Sequence, residues 1–264
     1  MARTDLLDRT VAAVAARARW FLLAEDVPER AGFLQAVAPS VKLVGVVALV
    51  AVTVTRRDLP SVALLAGLAA ALALLSRVPV RAFFERATGP AAFAVVAVAP
   101  QAVLMGGPTL VGTPLSVAGV EYVAVFTVRV AACVAFLSVL LLTTRFADLL
   151  AAFRRLRAPA IAVSLLAITY RYLLLFFAEL ERMVRARRGR TLADPDLRRT
   201  WRDSGNFVGT FLLRSLERGE SVQRAARARG GTGPTPTRSH DSLGVADLGF
   251  AVVVAAAIVG VSLA

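Results

Sequence analysis

Two segments of this chain end in arginine followed by glycine, and each is rich in residues that favour helices. The two endings consist of Arg187, Arg188 and Gly189 in the first segment and Ala228, Arg229 and Gly230 in the second. Glycine commonly ends a helix in a left-handed cap, so each segment predicts an arginine at a helix tip. The planar guanidinium can form paired hydrogen bonds with a carboxylate of another protein. The alternative interpretation is two ordinary helix ends in an arginine-rich protein.

The other reactive residue types are too sparse or too scattered to form a site. The chain has one cysteine, Cys133, and one histidine, His240, far apart in the sequence, so we expect no metal site. Its only lysine, Lys42, is followed by Leu43, which excludes a phosphate-binding loop ending in Lys-Ser or Lys-Thr. No carboxylate pair and no Ser/His or Cys/His set indicates catalysis. We therefore expect a chain that is not an enzyme and holds no cofactor, and any ATPase that drives it would be a separate chain.

Composition places the chain in a membrane. Of its 264 residues, 57% are hydrophobic, and the mean hydropathy is +0.67. The net charge is +13, but the basic residues lie mostly between apolar segments. That arrangement indicates cytoplasmic loops, lipid headgroups or an acidic partner rather than nucleic acid. With no strand pattern, the predicted class is an all-α membrane protein.

Five apolar segments are predicted to cross the membrane. They are residues 41–55 (with 33–38 leading in), 61–76, 91–105, 120–143 and 243–264. The connections are predicted to be a tight turn at Arg56–Pro60, a basic loop at 77–90 and a Gly/Pro-rich loop at 106–119. Residues 1–40 carry apolar side chains at helical spacing and predict an amphipathic surface helix with no secretory signal. The chain thus divides into a first part, 1–143, a basic region, 144–242, and a last span, 243–264.

The basic residues predict the orientation in the cell membrane. Six lie in residues 1–42, three in 77–90 and nineteen in 144–242, whereas the loop 106–119 has none. By the positive-inside rule the N-terminus and the basic region are cytoplasmic and the C-terminus is external. Arg56 and Arg57 fall on the external side and weigh mildly against this orientation.

The basic region is predicted to contain three helices with polar faces. The first covers 143–157 and stops before Pro159; the third covers 206–229 and precedes a Gly/Pro linker at 230–242, after a turn at Asp194–Asp196. The second begins with the apolar residues 160–178, which approach the length of a span. Arg171 lies in the middle of that stretch and would be costly in lipid. We expect this helix to lie against the cytoplasmic side of the bundle, with a sixth span as the alternative.

Several motifs in this sequence together resemble those of a known protein family. The motifs that carry the resemblance are Asp148-Leu-Leu, Leu156-Arg-Ala-Pro159, Thr169-Tyr-Arg-Tyr172, Glu181-Arg-Met183, Arg187-Arg-Gly189, Leu213 to Glu220 and Ala228-Arg-Gly230. In this order they resemble the transmembrane T component of energy-coupling factor transporters, and most closely its CbiQ-like, cobalt-type members. The dense resemblance covers about residues 120–230.

The resemblance implies a function and a set of partners. It implies about five membrane helices with cytoplasmic coupling helices, a complex with two ATP-hydrolysing subunits, and a substrate-capturing S component. It also implies that the two Arg-Gly endings seat in grooves of the ATPases. The second ending matches the family's Ala-Arg-Gly, whereas the first has Arg187 in place of alanine, which leaves open whether Arg187 or Arg188 makes the contact.

Alternatives to this assignment differ in substrate and in class. The cobalt-type resemblance favours cobalt or nickel uptake, and a vitamin S component is the alternative. A self-contained carrier would show ionisable groups inside several spans, whereas here only Arg129 lies deep in one. We expect Arg129 to be a structural or S-component contact rather than an ion site. A membrane-bound enzyme or a nucleic-acid binder is the third alternative.

Overall fold

A computed structural model describes residues 32–106, 108, 116–188, 197–230 and 244–263, and the regular structure in these ranges is helical. A single 3₁₀ turn, Leu34–Ala36, precedes the helices. The helices are α1 (Pro39–Thr55), α2 (Leu59–Leu75), α3 (Val80–Val98), α4 (Gln101–Leu104), α5 (Val117–Thr143), α6 (Phe146–Arg155), α7 (Ala160–Arg188), α8 (Leu197–Ala228) and α9 (Val245–Leu263). The expected all-α membrane class is confirmed.

The described helices belong to two compact units. One unit is a bundle that comprises α1 to α6 and α9, and the other comprises α7 and α8. In the bundle, α5 packs against α1, α2 and α3, and α9 packs against α1. The core includes Leu49, Leu65, Phe136 and Phe250, each fully buried. Gly45 lets α1 approach α9 closely, because a Cβ there would lie 2.5 Å from the Phe250 ring.

Four described helices are long and apolar enough to cross a membrane: Val80–Leu104, Val117–Thr143, Ala160–Ala186 and Val245–Leu263. Two further expected spans, α1 and α2, have 17 residues each, near the lower limit of about 17 for a crossing helix. The segment that we expected to lie at the surface, Ala160–Ala186, therefore meets the length and hydropathy requirement for a span.

The predicted loop at 77–90 is wrong. Helix α3 begins at Val80 and continues through Pro90. Arg81 Nε donates to the Glu85 carboxylate at 2.8 Å, one helical turn away, which favours helix in a stretch whose charges suggested a loop. Proline removes only its own N–H donor and does not end this helix. The chain turns at Arg77 instead, where φ is +50°.

The remaining connections follow the predictions more closely. The turn after α1 is as expected, and Asp58 caps α2 by accepting from the Ser61 N–H at 3.0 Å. The predicted loop 106–119 is too long, because Ser116 caps α5 and the helix begins at Val117. Helix α6 packs against α1 and buries Leu149 and Leu150. The expectations for residues 1–31, 189–196 and 231–243 lie outside the described residues.

Two cations, the buried Lys42 and the half-buried Arg129, join α1 and α5 at opposite ends of α1. Lys42 is only 2% exposed, and its Nζ donates to the carbonyl of Thr143, the last residue of α5, at 3.1 Å. Arg129, in the middle of α5, donates from Nη2 to the carbonyl of Arg56, the residue that ends α1. Each helix therefore presents a cation to the carbonyl end of its antiparallel neighbour, where the backbone dipole is negative. These contacts fix the register of α1 against α5.

Asp247 joins the starts of α1 and α9. Its side chain is buried, and Oδ1 accepts from the backbone N–H of Ala38, which precedes α1, at 2.6 Å. Oδ2 accepts from the N–H of Gly244, which precedes α9, at 2.7 Å. One carboxylate thus satisfies donors at two helix N-termini, where a negative charge is favourable. The start of α1, the end of α5 and the start of α9 lie at the same end of the bundle.

Candidate coupling site

The second Arg-Gly ending forms the helix tip that its sequence predicts. Helix α8 ends at Ala228, and the N–H of Arg229 bonds to the carbonyls of Ala225 and Ala226. Gly230 follows with φ +68°, and its N–H bonds to the Arg227 carbonyl at 3.0 Å. This is the left-handed cap that glycine permits without strain. The Arg229 side chain is exposed, so its guanidinium is available to a partner.

The structure describes the first Arg-Gly ending as far as Arg188, which is a helical residue. Helix α7 runs without interruption for 29 residues to Arg188. Gly189 lies outside the described residues, so its expected cap is not described. Arg187 and Arg188 thus lie in the last described turn of a long helix.

The contacts between helices α7 and α8 include an ion pair and an aromatic pair. Arg214 Nη1 donates to Glu179 Oε1 at 2.9 Å, and Arg182 on the same helix as Glu179 binds the other carboxylate oxygen. The rings of Phe176 and Phe211 meet edge to face, with centroids 6.0 Å apart. Beyond these contacts about 14 Å of α7 and 22 Å of α8 extend towards Arg188 and Arg229. Each arginine therefore stands at the end of a projecting helical arm.

The contact borders an open pocket of about 340 Å³ in the α7–α8 unit. Tyr172, Leu175 and Phe176 supply an apolar wall, while α8 supplies mainly polar residues, including Arg218 and Ser221. The polar side of α8 therefore faces α7 here, which the sequence did not indicate. On α8, Phe211, Ser215, Val222 and Ala226 are half-buried, whereas Val208 and Gly219 are exposed.

The charged residues of the α7–α8 unit include ion pairs within and between the two helices. In the described ranges, no group of three or more His, Cys, Asp or Glu residues could hold a metal ion. Cys133 is half-buried in α5. The charged groups of the α7–α8 unit form ion pairs and helix tips, which suits recognition of another protein.

The sequence did not indicate the long-range contacts of three charged residues. Lys42 was considered only for a phosphate-binding loop, and Asp247 is a charged residue near the start of an otherwise apolar predicted span. Arg129 was expected to be a structural or partner contact, and it contacts the end of α1. The sequence does show that each of these charged residues lies in or beside an apolar segment. A charge in such a place needs a polar partner within the protein, but the sequence does not identify that partner.

Comparison with known proteins agrees with the fold and the motifs. The family model described as "Cobalt transport protein", CbiQ, matches residues 31–240. The cobalt transport protein CbiQ of Rhodobacter capsulatus is 29% identical over 154 residues, which cover 58% of this chain and 62% of that protein. An uncharacterized protein of Methanocaldococcus jannaschii is 21% identical over 257 residues, covering 93% of this chain and 87% of that protein. The chain therefore belongs to the CbiQ family of cobalt transport proteins.

Proposed function

We propose that this chain is the coupling subunit of an ATP-driven importer. It transmits motion from two separate ATPase subunits to a substrate-binding S component in the membrane. The observation that carries the proposal is the exposed arginine at the capped tip of α8, on an arm that extends beyond the contact with α7. Family membership supports a role in transport, and it favours cobalt, or the chemically similar nickel, as the substrate.

The contacts within the bundle support a topology in which α7 does not cross the membrane. Lys42 and Asp247 bring the start of α1, the end of α5 and the start of α9 to one end of the bundle. Between Thr143 and Val245 the chain therefore crosses the membrane an even number of times. Helix α8 is too polar to cross, and the intervening connections are too short, so α7 does not cross either. The exposed Arg171 in the middle of α7 agrees with this topology.

This topology leaves α7 and α8 on the side where the basic residues concentrate. Of the basic residues, nineteen lie between 144 and 242, so this side is cytoplasmic by the positive-inside rule. A cysteine introduced at Thr113 should react with an impermeant reagent in intact cells, and a cysteine at Thr235 should react only after permeabilisation. The reverse pattern would contradict the orientation.

The arginine tips are the proposed ATPase contacts. Their guanidinium groups bind carboxylates in grooves of the two ATPases, where partial removal of water strengthens the paired hydrogen bonds. A hydrogen bond to a charged group contributes about 1.5–3 kcal/mol. Replacing both Arg188 and Arg229 by alanine should therefore weaken the complex at least tens-fold.

The experiment compares the double variant R188A/R229A with the control R185A/R224A. The control removes the same charge from the same helices, at positions further from the tips, where Arg185 lies near Glu181 and Arg224 near Ser221. The measurements are copurification of the ATPases and substrate uptake. Full retention of both by R188A/R229A would refute the assignment of the tips. A separate R187A variant decides which arginine of the first ending makes the contact.

The same purification separates the alternatives. A coupling subunit copurifies with ATPases and a small S component, whose identity distinguishes a cobalt or nickel system from a vitamin system. A self-contained carrier would transport substrate when reconstituted alone. Transport by the isolated chain would therefore contradict the proposed function.

A further inference from the structure

Three basic residues do not lie on the proposed cytoplasmic side, and these three lie close together in the bundle. Twenty-eight of the thirty-one lysines and arginines lie on the proposed cytoplasmic side, and the exceptions are Arg56, Arg57 and Arg129. Arg56 and Arg57 form the turn between α1 and α2, and Arg129 reaches that turn from α5 to bind the Arg56 carbonyl. Arg56, Arg57 and the distant Arg129 therefore form one basic cluster at the end of α1 that is opposite Lys42 and Asp247.

The cluster lies where the short helix α1 ends beside the longer helix α5, and we call this difference in height the step. Helix α1 has 17 residues, about 25 Å, whereas α5 has 27 residues, about 40 Å. The contact of Lys42 with Thr143 aligns the two helices at the other end, so about 18 Å of α5 extends past Arg129. The end of α4 accompanies it, because Ser116 donates its N–H to the Ala102 carbonyl at 2.9 Å. The α1–α2 turn is therefore set back from the end formed by α4 and α5.

The cluster has capacity to bind an anion. Arg57 is exposed and Arg56 is half-buried, so their side chains are accessible beside the turn, while Arg129 is bound to the Arg56 carbonyl. The acidic residue of the turn, Asp58, already caps α2, and hydrogen bonds from the Ser61 side chain and the Ser61 N–H hold the pKa of its carboxyl below its usual value. The cluster therefore retains a positive charge at a depth where α3 and α5 are still apolar.

The surfaces on both sides of the cluster suit a phospholipid. Below the turn, Val54 and Leu64 are exposed by more than half, as an acyl chain would require. Above Arg129, on the same side of α5, Tyr122 and Phe126 stack with ring centroids 6.4 Å apart. Aromatic rings of this kind lie at the level of lipid headgroups. A hydrophobic helix shorter than the bilayer core of about 30 Å draws headgroups inwards, which brings phosphate to the turn.

We propose that Arg56, Arg57 and Arg129 form a binding site for the phosphate of a membrane phospholipid at the step beside the α1–α2 turn. In the proposed orientation this lipid belongs to the outer leaflet, and it offsets the positive charge that the orientation places there. The phosphate binds the side chains of Arg56 and Arg57, and Arg129 holds the turn in place. The site thins the membrane next to α1 and α2.

The test is lipid retention by the purified full chain, measured by native mass spectrometry. The probes are phosphatidylglycerol and a diacylglycerol glycolipid that has no phosphate. Variant R56Q/R57Q removes two charges and keeps the Arg56 carbonyl, so the Arg129 contact survives. Its matched control, R77Q/R81Q, removes two exposed charges from the other end of the bundle.

We expect R56Q/R57Q to bind phosphatidylglycerol about tenfold more weakly than wild type, as the loss of charge-assisted contacts requires. The control should bind it unchanged, and the glycolipid should bind all three proteins weakly. Thermal unfolding in detergent establishes that R56Q/R57Q remains folded. Because no ATPase takes part, failure here would leave the proposed coupling function untouched.

Three outcomes would overturn the proposal. Equal retention of phosphatidylglycerol by R56Q/R57Q and wild type would show that the cluster binds no lipid. Displacement of the lipid by inorganic phosphate would indicate a site for a free anion. Loss of a copurifying membrane protein from R56Q/R57Q, with lipid retention unchanged, would show that a carboxylate of that protein is the occupant.

Discussion

Replacement of Asp247 tests how the bundle is held together at its cytoplasmic end. The carboxylate is 5% exposed and accepts two backbone N–H groups, from Ala38 at 2.6 Å and Gly244 at 2.7 Å. Alanine removes both bonds and leaves the N–H of Ala38 without its acceptor. Hydrogen bonds to a charged group contribute about 1.5–3 kcal/mol each, and the dehydration of the buried carboxylate offsets part of this gain.

We therefore expect D247A to lower the free energy of unfolding by about 2–4 kcal/mol, within the range for lost buried bonds and helix caps. For a domain of this size, a loss in that range lowers Tm by roughly 5–10 °C. The variant D247N should lose less, because its amide oxygen still accepts one of the two N–H groups. The measurement is thermal unfolding of the purified chain in detergent.

The control is D58A, which removes the same side chain from the start of α2. Asp58 is exposed, and the N–H of Ser61 donates to its carboxylate, so water replaces much of what is lost. We expect a clearly smaller change in Tm than for D247A. The reasoning would be refuted if D247A unfolded with the Tm of wild type, or if D58A and D247A were equally destabilised.

Two further substitutions test the helix contacts. G45A should destabilise the bundle by about 1–3 kcal/mol, because its Cβ would lie 2.5 Å from the Phe250 ring. The control G67A should be neutral or slightly stabilising, because a Cβ at Gly67 would meet nothing within 4 Å. Equal Tm values for the two variants would contradict this packing. A double-mutant cycle of E179Q and R214Q should show a coupling of about 0.2–1 kcal/mol that decreases in high salt, since both side chains are partly exposed. No coupling at low salt would mean that this pair does not hold α7 against α8.

Local patterns in the sequence were sufficient for most helices and for the helix tips. The apolar runs predicted α1, α2, α5 and α9 within a few residues, because burial in lipid is a property of the run itself. The ending at Gly230 was predicted because only glycine adopts a positive φ without strain. The start of α3 was predicted wrongly, since charged residues and a proline occur both in loops and in helices that extend beyond the membrane.

The sequence by itself determined that this is an all-α membrane chain, which segments are apolar, where the basic residues lie, and where the Arg-Gly endings occur. It showed Lys42, Arg129 and Asp247 as charges in apolar surroundings without their partners. Only the tertiary structure decided that these charges bind the ends of distant helices, and that α1 and α9 begin where α5 ends. The physical reason is that hydropathy and helical period are local, whereas a buried charge is satisfied by whichever backbone group the packing of other helices brings to it.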